Sequence, residues 1–146
     1  MSFKIMVNIE DNGVQTLLAN MHARLGNLTP AMNVIGEIVQ SSAVRNFEES
    51  GRPNKWKPSK RALHGGKTLI GIGIGGGLMG SISYRPFTNK VEISANKKYA
   101  AIHQFGGKAG RGLKVNIPAR PYMLLQDEDW VEIKDALKGH LIEGAK

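Results

Sequence analysis

The sequence predicts a single α+β domain in which a small, mainly antiparallel sheet packs with about three helices and carries long glycine-rich basic loops. A length of 146 residues suits one domain, and no linker or internal repeat divides residues 1–146. Strand-like and helix-like periodicities occur without the regular alternation of a βαβ fold. The hydrophobic content of 41% and the charged content of 22% are typical of a globular chain rather than a disordered one.

The first third of the chain predicts one strand and two helices. Apolar and polar residues alternate over residues 3–9, which is the period of a strand. A helical period follows over residues 14–25, and Gly26 can end that helix. Thr29 and Pro30 suit the N-cap and the first position of a second helix, which extends to about residue 50. The side chains expected to be buried are Val14, Leu17, Leu18, Met21 and Leu25 in the first helix, and Ile35, Ile38, Val39, Ala43 and Phe47 in the second.

The middle of the chain predicts loops around one hairpin. Residues 51–68 contain two prolines, three glycines and one tryptophan, so we expect a loop there. Residues 71–80 contain six of the 18 glycines. Apolar residues then alternate on either side of residues 86–89, which predicts two strands joined by a turn. The alternating residues are Ile82, Tyr84, Val91 and Ile93.

The last third predicts a short helix, a loop, an extended segment and a final helix. Residues 99–105 form the short helix, with Tyr99 and Phe105 expected in the core and His103 expected to be buried and hydrogen-bonded. Residues 107–116 contain three glycines and three cations, so we expect a flexible loop that is poorly ordered in isolation. Residues 117–125 carry two prolines and are at most an edge strand. The final helix starts at three acidic residues, and its apolar face consists of Trp130, Ile133, Leu137 and Leu141.

The net charge of +8 is concentrated in two stretches. Residues 45–67 hold seven basic and two acidic side chains, and residues 97–120 hold six basic and no acidic ones. Residues 121–146 are acidic, with six carboxylates against three cations. A concentrated basic surface favours a polyanion or an acidic protein as partner, although solvated loops have the same composition. The opposite signs of separate segments also permit head-to-tail self-association.

Several classes of function find no support in the sequence. Cysteine is absent, and no apolar run has the length of a signal peptide core or a membrane span, so we expect a soluble chain that stays where it is made. Gly71, Gly73 and Gly76 match the dinucleotide-binding pattern in spacing, but strand-like residues follow them instead of a helix. The four histidines lack metal-ligand spacing, and no nucleophile has a base beside it. We expect no catalytic residue, no cofactor and no metal ligand.

Three local patterns, taken in order, resemble one known family. The first is GRPNKWKP at residues 51–58, directly after a long helix. The second is GLMGSIS at residues 77–83, which leads into a hairpin. The third is YAAIHQFG at residues 99–106, followed after a basic glycine loop by IPARPYM at residues 117–123. Together they resemble the phage virion morphogenesis (tail completion) family of Mu-like and related tailed phages, over nearly the whole chain.

The resemblance implies a structural protein of a phage or prophage, not an enzyme. Such a protein would complete the tail and enable it to join the DNA-filled head during virion assembly. The resemblance implies a homo-oligomeric ring, with six copies as the expected number, in contact with tail tube or terminator proteins and with head connector proteins. It allows non-specific contact with packaged DNA and implies no membrane partner. The chain would be found in the host bacterial cytoplasm during assembly and then at the head–tail junction of the virion.

Five residues are candidates for an interface. Trp56 has the area of an interface anchor, but a place in the domain's own core is favoured slightly over that role. Pro118 and Pro121 stiffen the backbone around Arg120, whose guanidinium can pair with a carboxylate of the same chain or of the next one. The cations of the 107–116 loop can become ordered on a neighbouring subunit or on DNA. The candidates are Trp56, Lys108, Arg111, Lys114 and Arg120.

The alternative function is a nucleic-acid-binding module that uses the basic loops 51–67 and 107–116. Tight binding with a steep dependence on salt would favour the module. Weak, non-specific binding would favour the structural protein.

Overall fold

The computed structural model describes residues 13–71 and 76–142. Within these residues the strands form two separate two-stranded antiparallel sheets, which together with the helices confirms the α+β class. The strand predicted over residues 3–9 lies outside the described residues. The elements in chain order are α1 (Val14–Leu25), α2 (Thr29–Glu48), α3 (Lys60–Leu63), α4 (Gly77–Gly80), β1 (Ile82–Pro86), β2 (Val91–Ala95), α5 (Ala100–Phe105), β3 (Gly107–Ala109), β4 (Val115–Ile117) and α6 (Asp127–Ile142).

Helix α2 lies at the centre of the fold, with the β1–β2 hairpin and α6 both packed against it. The close approach of β1 depends on Gly36, because a Cβ at this position would lie 2.2 Å from Cδ2 of Tyr84. Two groups of buried apolar side chains result, one towards the hairpin and the loops and one towards α6. The first consists of Ala43, Phe47, Trp56, Leu78, Ile82, Ala100 and Tyr122, and the second of Met32, Ile35 and Ile133.

The start of α2 differs from the predicted cap. Thr29 is the first helical residue, and Leu28 occupies the N-cap position without a side-chain hydrogen bond. The side chain of Asn27 accepts a hydrogen bond from the Thr29 amide at 3.1 Å. The prediction of Thr29 as N-cap was therefore wrong, because the asparagine two residues earlier accepts this otherwise free amide.

Two predicted apolar faces are less buried than expected. No residue of α1 is buried, and Val14, Leu18 and Leu25 are each at least half exposed. In α6, Ile133 is buried as predicted, but Trp130 is 51% exposed and Asp129 beside it is 2% exposed. The face of α6 that meets α2 therefore begins with a carboxylate instead of the tryptophan.

The two hairpins arise from different turn chemistry. Strands β1 and β2 pair as predicted, with Tyr84 opposite Ile93 and the turn closed by a hydrogen bond from the Phe87 amide to the Lys90 carbonyl. Strands β3 and β4 form a second hairpin in the stretch predicted to be poorly ordered, so that prediction was wrong. Gly110 and Gly112 have φ values of 78° and 70°, which only glycine adopts easily, so here glycine provides a defined turn.

None of the helices in the described part of the chain is both long enough and apolar enough to cross a bilayer.

Candidate functional site

The two halves of the third sequence pattern lie against each other. The side-chain oxygen of Gln104 in α5 accepts hydrogen bonds from the amides of Tyr122 and Met123 at 3.1 and 3.0 Å. The Arg120 amide donates to the His103 carbonyl at 2.7 Å. These bonds fasten the proline-containing segment 118–126 along α5, which explains why the two motifs occur as a pair.

Aromatic side chains hold the same segment on α2. Phe47 is fully buried and contacts both other rings, with centroid distances of 5.6 Å to Trp56 and 5.1 Å to Tyr122. The Tyr122 hydroxyl donates to the Ala100 carbonyl at 2.9 Å, and burial raises the pKa of this hydroxyl. Trp56 is only 7% exposed, so it fills the domain's own core, and in this conformation it offers a partner little surface.

A buried polar network joins the start of α6 to α2 and to the loop after it. Arg52 is 8% exposed. It donates to Oδ1 of Asn46 at 2.8 Å and to the hydroxyl of Ser42 at 2.8 Å. That hydroxyl in turn donates to Asp129, whose carboxylate lies 4.0 Å from the Arg52 guanidinium. The network explains why a carboxylate, and not Trp130, occupies the inner face of α6.

Arg120, by contrast, is buried without a counter-ion among the described residues. It is 6% exposed, and its Nε donates to the Lys57 carbonyl at 2.8 Å. Neither terminal nitrogen has a hydrogen-bond or ion-pair partner in residues 13–71 and 76–142. Burial lowers the pKa of the guanidinium from its ordinary value, but arginine remains charged in proteins. The predicted carboxylate partner of Arg120 is therefore not supplied by the part of this chain that is described.

His103 lies beside Arg120 and is also unsatisfied. Its Nδ1 is buried and has no hydrogen-bond partner within the described residues, so the hydrogen-bonded role predicted for this side chain was wrong. Burial lowers the pKa of His103, and the neighbouring charge of Arg120 lowers it further. The imidazole is therefore predominantly neutral at pH 7.

A cavity of about 350 Å³ opens at these two residues. Its polar lining consists of Ser59, Arg61, Tyr99, His103 and Arg120, and no Asp or Glu is among the described residues that line it. The Arg61 guanidinium is held at the cavity by donating to the carbonyls of Lys67 and Ile70. This concave site lined with cations is the clearest candidate binding site in the described structure.

Tyr99 and Phe105, which the sequence placed in the core, lie at the surface instead. Tyr99 is 45% exposed at the cavity, with its ring 5.8 Å from that of His103. Phe105 is 78% exposed immediately before β3. The short helix α5 therefore buries Ala100 and presents its aromatic side chains outwards.

The other three predicted interface residues lie on the β3–β4 hairpin, residues 107–117, which we call the basic hairpin. Lys108, Arg111 and Lys114 are all exposed on it. Leu113 and Val115 are exposed between them, at 63% and 53%. A surface that combines cations with large apolar side chains is typical of protein interfaces.

The five predicted residues therefore divide into three environments. Trp56 is in the core, Arg120 lies at the cavity, and the three cations are on the basic hairpin. Sequence reasoning missed Arg52, Arg61 and Gln104, although Arg52 and Gln104 lie inside the motifs it selected. Within the described residues no group of three His, Asp or Glu side chains is arranged to hold a metal ion.

Comparison with known proteins gives two findings. Residues 9–142 match the phage virion morphogenesis family. The chain is also 38% identical over 139 residues to the Mu-like prophage FluMu G protein 2 of Haemophilus influenzae, an alignment that covers 92% of this chain and 96% of the relative. No solved structure matches. These matches over nearly the whole length show that the chain belongs to the phage virion morphogenesis family.

Proposed function

We propose that this protein completes the phage tail and makes it competent to join the DNA-filled head, acting as a homo-oligomer at the junction. Membership of the virion morphogenesis family supports a role in building the particle. The observation that carries the finer proposal is the basic hairpin, which exposes three cations and two large apolar side chains on an ordered turn. A surface of this kind suits docking to tail tube or terminator proteins, to head connector proteins or to a second copy.

The surface of α6 complements the basic hairpin in charge and in apolar character. Glu132 and Asp135 are exposed, with no ion-pair partner among the described residues. Trp130 and Val131 are exposed beside them, at 51% and 58%. Opposite charges around apolar side chains favour contact between the basic hairpin of one copy and α6 of the next. Repetition of such a head-to-tail contact around a closed circle produces a ring.

Charge reversal on the basic hairpin is expected to impair joining without unfolding the domain. Both Arg111 and Lys114 are exposed, so the double variant Arg111→Glu/Lys114→Glu should change the free energy of unfolding by less than about 0.5 kcal/mol per site. Placing like charges against an acidic partner should weaken docking by about 100-fold. Joining is measured as the yield of infectious particles from tails and filled heads mixed in vitro, and folding by a circular-dichroism melt.

The matched control reverses two exposed lysines in the turn between β2 and α5, in Lys97→Glu/Lys98→Glu. This control has the same change in net charge but lies on neither surface of the proposed contact. Full joining by the hairpin variant, or equal loss in both variants, would show that the basic hairpin is not the docking element.

The nucleic-acid-binding alternative is separated from this proposal by a gel shift. In the 51–67 loop, Arg52 is buried, and Arg61 and Lys55 donate to backbone carbonyls. The cations free to meet phosphates are therefore Lys57, Lys60 and Lys67. We therefore expect weak, non-specific binding of duplex DNA that is lost between about 50 and 200 mM salt. Nanomolar binding that persists at 200 mM salt would favour the alternative.

A further inference from the structure

We propose that the cavity beside His103 and Arg120 is a receptor site for a single carboxylate group carried by another protein chain, on an acidic side chain or a chain end. The proposal goes beyond the proposed function, because it assigns a ligand-binding site that is independent of the basic hairpin and of head–tail joining.

The strongest reason is the contrast between the two buried arginines. Arg52 and Arg120 are 8% and 6% exposed, so both are largely removed from water. The guanidinium of Arg52 is bonded to Asn46 and Ser42 and lies close to two carboxylates. Arg120 has one backbone carbonyl as partner and no carboxylate among the described residues. The Arg120 guanidinium lines an open cavity with no carboxylate among its described residues, and this arrangement suits the binding of an anion.

The groups around Arg120 provide further donors. Nδ1 of His103 is buried and unbonded within the described residues, and a neutral imidazole can donate one hydrogen bond from either ring nitrogen. Arg61 donates to the two carbonyls through Nη2, so its Nε and Nη1 have no partner within the described residues. Both guanidinium groups line one cavity that contains no acidic side chain among its described residues.

The shape of the cavity favours a carboxylate of a protein over a phosphate of DNA. The site is a recess of about 350 Å³, which is large enough for one side chain. Leu69, Leu78 and the Tyr99 ring provide apolar wall, which suits the methylene groups of Asp or Glu. Duplex DNA presents its phosphates along a rigid rod and is bound by cations spread over a surface. Guanidinium groups form paired hydrogen bonds with carboxylate and phosphate alike, so the preference for a carboxylate rests on the recessed shape and the apolar wall.

The proposal is tested by following the imidazole of His103 by NMR in the full-length protein. The probes are acetate and a short peptide with one glutamate, and the controls are chloride at equal ionic strength and the same peptide with glutamine. The change in the His103 signal is expected to saturate with increasing acetate or glutamate peptide. Both probes are also expected to raise the pKa of His103, because a bound anion favours the charged imidazolium facing Arg61 and Arg120. No saturable change with either probe would overturn the proposal.

Variants at the cavity make the test specific. Arg61→Gln removes an exposed rim residue and is expected to weaken binding at least about tenfold while the protein remains folded. Arg120→Lys retains the charge but loses the paired N–H donors of the guanidinium, so it should weaken binding as well. Arg111→Gln on the basic hairpin should leave binding unchanged. Unchanged binding in Arg61→Gln and Arg120→Lys would overturn the proposal. So would saturation by inorganic phosphate or a DNA oligonucleotide without saturation by acetate and the glutamate peptide.

Discussion

Replacing the buried Arg52 with methionine is expected to lower the free energy of unfolding by about 3–5 kcal/mol. Methionine retains much of the length of the side chain but removes its donors. Asn46 and Asp129, which are 0% and 2% exposed, would then lose a partner that water cannot replace. Because domains of this size are stable by about 5–15 kcal/mol in total, this loss is a large fraction of the whole.

The matched control is Arg45→Met. Arg45 also bonds to Oε1 of Glu128, at 2.9 Å, but its side chain is 43% exposed and that of Glu128 is 61% exposed. An exposed pair contributes about 0–1 kcal/mol, so this variant should be close to wild type. Urea unfolding followed by circular dichroism measures both. Losses that agree within about 0.5 kcal/mol would show that the buried network does not hold α6 on α2.

Replacing Gly106 with alanine is expected to lower the free energy of unfolding by about 3 kcal/mol, through backbone strain and overpacking together. Gly106 has φ 72° and ψ 177°, a combination that is almost confined to glycine. A Cβ at this position would lie 2.8 Å from the Ala119 amide nitrogen and 3.0 Å from the Ile117 carbonyl oxygen. The segment 117–120 would have to move away, and with it the bond from the Arg120 amide to His103.

Gly110→Ala separates strain from steric contact. Gly110 has nearly the same backbone conformation, φ 78° and ψ 179°, but the nearest atom to its Cβ is a Val115 methyl carbon at 3.3 Å. Both variants carry the same strain, so Gly106→Ala should be less stable than Gly110→Ala by about 1 kcal/mol or more. Chemical unfolding of the two variants measures this difference. Equal stabilities would mean that the docking of segment 117–120 on α5 tolerates displacement.

The elements that the sequence predicted well are those determined by local patterns. Helix α2 shows apolar residues at helical spacing through Ile35, Ala43 and Phe47, and all three are buried. The β1–β2 hairpin follows from alternation on both sides of a short turn. These patterns are independent of the rest of the fold, so a single sequence is enough to recognise them.

Other features depend on residues that are distant in the sequence. Asp129 is buried in place of Trp130 because it contacts two polar residues that are distant in the sequence, Ser42 on α2 and Arg52 in the loop after α2. No local pattern in α6 indicates these two contacts. In the sequence, the number of glycines in the basic hairpin favoured a flexible loop. In the structure, the positive φ angles of these glycines define a turn. Composition does not distinguish these two uses of glycine.

The cavity was beyond sequence reasoning for the same reason. Arg120 was selected as a candidate because two prolines stiffen its backbone, which is local information. Its environment results from the bond between its amide and the His103 carbonyl and from the position of Arg61, and both are tertiary contacts. The sequence shows that the two motifs occur together. The structure shows that they do so because they pack against each other within the domain.

The most direct test of the proposed role in tail completion is an add-back experiment. Tails assembled in cells that lack this protein are mixed with DNA-filled heads, with and without the purified full-length chain, and infectious particles are counted. Few particles are expected without the protein, and their number should be restored when the protein is added to tails before the heads. Equal yields with and without the protein would contradict the proposal that it makes tails competent for joining.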